Sequence, residues 1–429
     1  MKEGEAMAYN DRIETIRKDE FPMLHDSIYL DHAGTTLYPK TLVDSFATEM
    51  VASLLGNPHS ASASSQYTTL RIENIRHRVL RFFNADPAEY ELVFVANATA
   101  GIKLVSDAFR GFPEGFDYRY HQACHTSLVG VRQEAENGLC LDSDDVDKWI
   151  EGGDLEVKID PSSRPTLFAY PAQSNMDGRR YPLRWCHQVR RAGVNTGCQI
   201  YTLLDAAAYV ATSPLDLSNA ETAPDFAVVS FYKIFGFPDL GGLIVKRNTA
   251  SVFKQRRYFG GGTVDMVVCL KEQWHASKTQ SLHEALEDGT LPIHSILALD
   301  LALNAHQKLL TEFEKLATLK LFHVRTGGVC NPGGVAAALG LEPWEMKRNF
   351  STGFRCGNEN DIINGKPTGV IRVSLGAMST LSDVEKFVAF IEEFYKEDHQ
   401  PSPVALPESV VEDDSSDLFV DAIMCGQKG

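Results

Sequence analysis

Residues 225–246 read DFAVVSFYKIFGFPDLGGLIVK. The runs FAVVS and GGLIVK are apolar without alternation, the pattern of short interior strands covered on both faces. Between them comes Lys233, followed by glycine and proline, which end a strand and turn the chain. The same construction recurs upstream. ELVFVANATAGIKLVSDAF (91–109) reads as a strand from Leu92 to Ala96, a turn of small residues and a helix. PTLFAYP (165–171) is a further strand, and CQIYTLLDAAAY (198–209) is another with Asp205 at its C-terminal end. Strands alternating with helices predict an α/β domain around a mainly parallel sheet. Ligands of such sheets sit at the carboxyl ends of the strands. Asp205 and Lys233 both fall at that edge.

Further along, residues 293–323 carry apolar positions at spacings of three and four, which predicts one helix. Residues 370–395 predict a strand, VIRVSL, and an amphipathic helix with Ser382 as its N-cap. From about residue 398 the chain turns Pro-, Ser- and acid-rich, as in a linker or tail. The expected organisation is therefore an extension over 1–20, a large domain over 21–300, a smaller C-terminal α/β subdomain over 301–397 and a tail over 398–429.

Composition narrows the function. The chain has 429 residues, 44% of them apolar, enough for a substantial core. Its 41 basic and 57 acidic residues leave a net charge of −16, which argues against nucleic acid or an anionic membrane as partner. No apolar run approaches the ~18 residues of a membrane span. The polar, acidic beginning, MKEGEAMAYNDRIETIRKDEF, lacks the pattern of a secretory or transit signal, so a cytoplasmic location is expected. Eight cysteines without a CxxC pair suit neither a zinc site nor a disulfide scaffold.

Several residues could carry chemistry. Lys233 is either a snorkelling surface lysine or a buried amine able to condense with an aldehyde cofactor. Asp205, on a neighbouring strand end, could hold the ring nitrogen of such a cofactor. ANATAGIK (96–103) places Ala98 and Thr99 at a helix N-terminus, where backbone N–H groups bind anions; a plain tight turn is the alternative. Ser230 could add a hydroxyl, and FGGGT (259–263) is a second glycine-rich loop. Cys330 lies in VRTGGVCNPGGV (324–335), dense in glycine; such a loop is mobile and could carry a thiol towards a bound ligand, unless the cysteine is merely structural. Arg372 in an apolar strand needs a partner, either a substrate carboxylate or a salt bridge. His125 is either a core histidine or one that stacks on a ring and moves protons.

Taken together, YLDHAGTTLYP (29–39), GNPHS (56–60), HTSLVGVR (125–132), YPAQSN (170–175), LLDAAAYVATSPLDLS (203–218), SFYKIFG (230–236), YFGGGT (258–263), LEDGT (286–290), RTGGVCNPGG (325–334) and IRVSLGAMST (371–380) resemble the class V pyridoxal-phosphate enzymes. More narrowly, they are similar to the cysteine desulfurase domain of the molybdenum cofactor sulfurase family. The resemblance runs from about residue 21 to 397. It implies the fold type I of pyridoxal-phosphate-dependent transferases, with a mainly parallel seven-stranded sheet flanked by helices.

The resemblance also implies roles, position by position. Lys233 matches the lysine that binds the cofactor covalently, Asp205 the partner of the ring nitrogen and His125 the ring-stacking histidine. Asn175 matches the asparagine near the phenolic oxygen. Ala98, Thr99 and Ser230 match the phosphate cradle. Thr263 matches a phosphate contact supplied by the other subunit of a homodimer. Arg372 matches the arginine that holds the substrate carboxylate, and Cys330 the cysteine that receives sulfur from L-cysteine as a persulfide. In the family that sulfur passes to the molybdenum cofactor.

Some features depart from the pattern. Tyr232 precedes the lysine where general cysteine desulfurases have histidine, and Ala208 has no side-chain donor where relatives often do. The stretch between LEDGT and RTGGVC is shorter than in the family and reads as helix running almost into the cysteine loop, so a shortened small subdomain is expected. A counterpart of the family's further C-terminal domain is not expected within these residues. The alternatives are another class V activity (desulfuration for iron–sulfur assembly, selenocysteine lysis, a lyase without a thiol) or a truncated chain that only binds cofactor or a partner.

Overall fold

The computed structural model describes residues 13–25, 27–152, 164–313, 323–327, 330–352, 362–363, 366–367, 370–376 and 379–395, which fall into two compact units divided between Ser379 and Thr380. The first unit is built on a seven-stranded sheet: β1 (Tyr90–Val95), β2 (Asp117–His121), β3 (Asn137–Leu141), β4 (Thr166–Pro171), β5 (Ile200–Asp205), β6 (Phe226–Ser230) and β7 (Gly241–Lys246). The order across it is β1-β7-β6-β5-β4-β2-β3, with β7 antiparallel to both of its neighbours and the other pairs parallel. The carboxyl ends of β1, β6, β5, β4 and β2 therefore share one edge.

The unbroken apolar runs have a direct structural counterpart. Successive residues of a strand face opposite sides, and here both sides are covered. Phe168, Tyr170, Leu204 and Val229 pack into one layer with Ile72, Ile75, Val79, Trp185, Val189 and Ile296 from the helices Ala63–Phe82, Trp185–Thr196 and Ile293–Phe313. Leu167, Ala169, Leu203 and Val228 pack into the other with Ile102, Val105 and Phe109 of the helix Ala98–Arg110. Every residue of β4, β5, β6 and β7 is buried.

Two expectations for the C-terminal region need correction. The helix expected over 293–323 is present from Ile293 to Phe313, residues 314–322 lie outside the described residues, and His323 already belongs to a strand, His323–Gly327. That strand pairs antiparallel with Val370–Ser374, through Val324↔Val373 and Thr326↔Ile371. The chain thus reaches the cysteine loop through a strand, one that forms by pairing with a segment some fifty residues away. In the second unit the helix Leu381–Tyr395 includes Ser382 within it. Its cap is Thr380: the Asp383 N–H donates to Thr380 Oγ1 (3.2 Å) and the Thr380 N–H to Asp383 Oδ2 (2.9 Å), a reciprocal capping pair. Among the described residues no helix is long and apolar enough to cross a membrane.

Candidate active site

A pocket at the carboxyl edge of the sheet draws on five strand ends and encloses about 500 Å³ including its open mouth. Asn97, Ala98 and Thr99 follow β1, His125 and Ser127 follow β2, and Gln173 and Asn175 follow β4. Asp205 closes β5, and Ser230 and Lys233 lie at and just beyond the end of β6. The sequence reading placed Asp205 and Lys233 at one edge, and parallel pairing of β5 with β6 brings them into one pocket.

The polar groups divide by sign. Asp205 is buried; its Oδ1 accepts from the Ala207 N–H (3.0 Å), and its other oxygen accepts no hydrogen bond among the described residues. A buried carboxylate with spare acceptor capacity is costly unless a charged or protonated donor meets it. At the opposite sign, the helix Ala98–Arg110 points its N-terminus into the pocket, with Asn97 capping it by accepting from the Ala100 N–H (3.0 Å). Ser230 is buried, and its Oγ accepts from the Ala98 N–H (3.2 Å). This packing depends on Gly241 at the start of β7: a Cβ there would lie 2.6 Å from Asn97 Cα, so only glycine lets the cap cross the strand.

His125 is oriented by its own turn. Its Nδ1 accepts from the Ser127 N–H (3.1 Å), which fixes the proton of the neutral ring on Nε2. Ser127 Oγ lies 2.9 Å from the same nitrogen and 2.7 Å from Thr99 Oγ1, so a hydroxyl relay links the ring to the helix N-terminus. Neighbouring Cys124 is excluded as a nucleophile: it is fully buried, its thiol points to the Ala169 carbonyl (3.6 Å), and burial together with Asp205 pushes its pKa well up.

Cys330 is partly exposed, and its backbone is fixed beside His125. Its carbonyl accepts from the Thr126 N–H (2.9 Å) and from Thr126 Oγ1 (3.2 Å). Next to it in the loop, Asn331 is fully buried against the residues flanking the pocket. Thr263 lies outside this pocket, with its hydroxyl buried and donating to the Gly260 carbonyl (2.8 Å). The backbone of Arg372 lies in the strand Val370–Ser374, and its side chain lies outside the described residues. The sequence reading passed over Asn97, Ser127, Gln173 and Asn331. Gln173 stands two residues before Asn175 in YPAQSN, a spacing that could have marked it; Asn331 before Pro332 carries the local signal of a helix N-cap, but none for its bonds to Ala123 and Asn175.

An amine, a buried carboxylate and a helix N-terminus around one pocket, on this sheet topology, define a class. The chain belongs to the aminotransferase class-V family, whose profile matches residues 28–321. It is similar to the molybdenum cofactor sulfurase of Chaetomium globosum, at 60% identity over 91% of this chain and 58% of that protein. It is also similar to that of Neurospora crassa, at 58% identity over 92% of this chain and 49% of that one. The chain thus spans about half the length of the curated relatives it matches. Among solved structures it resembles the cysteine desulfurase CsdA of Escherichia coli (TM-score 0.62, 20% identity, 89% of this chain and 98% of that one). The cysteine desulfurase of Thermococcus onnurineus matches with the same score and identity, over 89% of this chain and 97% of that one. At that identity the likeness shows the fold, that of the fold type I transferases.

Proposed function

We propose that this chain is a pyridoxal-phosphate-dependent cysteine desulfurase that takes sulfur from L-cysteine onto Cys330, for delivery to the molybdenum cofactor. One observation carries the reading: the Asp205 carboxylate, the Lys233 amine and the N-terminus of Ala98–Arg110 line one pocket, while the Cys330 backbone is bonded to the residue after His125. The molybdenum cofactor as acceptor rests on the relatives' names.

The residues fit pyridoxal phosphate by the chemistry of their groups. The spare oxygen of Asp205 matches a protonated ring nitrogen, and the helix N-terminus with Thr99 and Ser230 matches a phosphate. His125 would cover the ring face, Asn175 would meet the phenolic oxygen, and Lys233 would bind the aldehyde. When bound, this cofactor supplies an electron sink for the amino acid's α-carbon. Lys233 then serves as the base that moves the α-proton, and His125, its neutral proton on Nε2, assists transfers at the substrate. Arg372 would hold the substrate carboxylate. Cys330, as thiolate, forms an S–S bond to the substrate sulfur as the Cβ–S bond breaks, and alanine leaves. Thr263 would reach a phosphate only across a homodimer.

The small subdomain is read as shortened. The alignment with the Chaetomium relative has 456 positions against about 390 residues of this chain, so that relative carries residues with no counterpart here. The test is incubation with L-cysteine, following alanine release and persulfide on Cys330 by mass. Wild-type protein should yield both, Cys330→Ser neither, and Lys233→Ala should lose the bound-cofactor absorbance. Alanine release undiminished in Cys330→Ser would refute the assignment of the nucleophile.

A further inference from the structure

Asn331 follows Cys330 and is fully buried, although it is polar and stands outside the pocket. Its amide makes bonds of fixed direction at both ends. Oδ1 accepts from the Gly334 N–H (3.0 Å), capping the helix Pro332–Leu339, and a backbone N–H can only donate. Nδ2 lies 2.9 Å from the Ala123 carbonyl, which can only accept. The two together settle which end is nitrogen. The same Nδ2 then donates to Asn175 Oδ1 (3.2 Å) and approaches Ser174 Oγ (3.4 Å). Asn175 therefore turns its amide oxygen towards the cysteine loop. The backbones close in alongside: a Cβ on Gly333 would lie 2.3 Å from the Gln122 carbonyl oxygen. Cys330 itself, at φ +54°, is held through its carbonyl by Thr126.

The cysteine loop is thus seated on two turns, 122–126 and 174–175, which also carry His125 and Asn175. We propose that Asn331 is the positioning residue for sulfur transfer: it seats the Cys330 loop on the rim of the pocket and couples the placement of the thiol to the orientation of Asn175. This rests on the desulfurase reading for its consequence in turnover, and on hydrogen-bond geometry alone for the seating.

Asn331→Asp separates seating from capping. Aspartate caps a helix as well as asparagine does, so the bond to Gly334 survives. Its second oxygen, however, would face the Ala123 carbonyl and Asn175 Oδ1, acceptor against acceptor. Gly333→Ala unseats the loop by a different route, pressing a methyl on the Gln122 carbonyl while leaving every side-chain donor in place. Both variants are compared with the wild-type protein, loaded with pyridoxal phosphate, in two measurements. Alkylation of Cys330 by iodoacetamide, read by peptide mass, should be faster by about threefold or more, since the loop detaches more often. Single-turnover persulfide formation on Cys330 should fall about tenfold in both, with KM for L-cysteine nearly unchanged, as expected for the loss of one or two buried hydrogen bonds; the cofactor absorbance should shift in Asn331→Asp, where Asn175 loses its donor, and stay as in wild type in Gly333→Ala.

If Asn331→Asp fails to fold, Gly333→Ala decides. Alkylation and persulfide rates within about twofold of wild type in the folded variants would overturn the assignment, because a cap or a spacer would behave that way. Wild-type protein that forms no persulfide but shows the alkylation contrast would refute the desulfurase reading and support the seating.

Discussion

Removing the carboxylate of Glu287 should be among the most damaging single changes in the large unit. Glu287 stands in the LEDGT segment and meets Arg76, 211 residues earlier, in a two-pronged ion pair: Arg76 Nη1 to Oε1 at 2.7 Å and Nη2 to Oε2 at 3.0 Å. Both side chains are at most 5% exposed. The Phe94 N–H also donates to Oε1 (2.7 Å), while Arg76 donates to the Leu92 carbonyl (2.6 Å) and lies over the Phe94 ring at 4.7 Å. The carboxylate thus bridges the helix Ala63–Phe82, β1 and the segment after the glycine-rich loop. In Glu287→Ala the guanidinium stays buried with Glu73 at 3.3 Å as its remaining anion, and the Phe94 N–H loses its acceptor. Breaking one side of a buried pair costs about 3–5 kcal/mol, whereas replacing both sides with apolar groups of similar size is often near neutral. Urea unfolding followed by tryptophan fluorescence measures both. Glu287→Ala should lose about 3–5 kcal/mol, and Arg76→Met with Glu287→Leu should recover most of it. A loss below about 1 kcal/mol in the single variant, or a double variant no better than the single, would refute the account.

Two other perturbations follow from the same contacts. His121 is buried, its ring tilted against that of Tyr181 (centroids 4.4 Å apart) and accepting from the Ala123 N–H, and burial followed by repulsion from Arg179 pulls its pKa down to about 4. Between about pH 6.5 and 4 the unfolded chain takes up a proton that the folded chain refuses, so stability falls as the pH drops, by about 3 kcal/mol from this group. His121→Gln should flatten that part of a melting-temperature profile, and an unchanged slope would count against the assignment. Gly241→Ala should loosen the crossing of Asn97 over β7 and cost about 1–3 kcal/mol, with weaker retention of pyridoxal phosphate in equilibrium dialysis. Normal stability and retention would show that the contact yields without cost.

Much of the large unit was legible locally. The runs of β4, β5 and β6 are mostly apolar and buried on every residue because helices cover both faces, and a parallel sheet leaves no water-facing side to mark with alternating polar residues. The helix expected over 293–323 holds for Ile293–Phe313, and only its last residue, His323, falls in a strand, because HVRTG is too short and mixed to announce one without its partner, Val370–Ser374. Ser382 misled for a narrower reason. Both Ser382 and Thr380 can cap, and only the geometry shows that Asp383 reciprocates with Thr380.

From the sequence alone came the alternation of strands and helices, the placement of Asp205 and Lys233 at strand ends, and the suspicion of a phosphate site at Ala98 and Thr99. These are properties of neighbouring residues, written in periods of two and three to four and in turn chemistry. The tertiary structure decided the order of strands, the reversed direction of β7, the Thr99–Ser127–His125 relay, the Arg76–Glu287 bridge and the seating of Asn331 on Ala123 and Asn175. Each of these joins groups far apart in the chain. A side chain's hydrogen-bonding capacity is fixed by its type, but the partner that meets it is chosen by how the whole core packs.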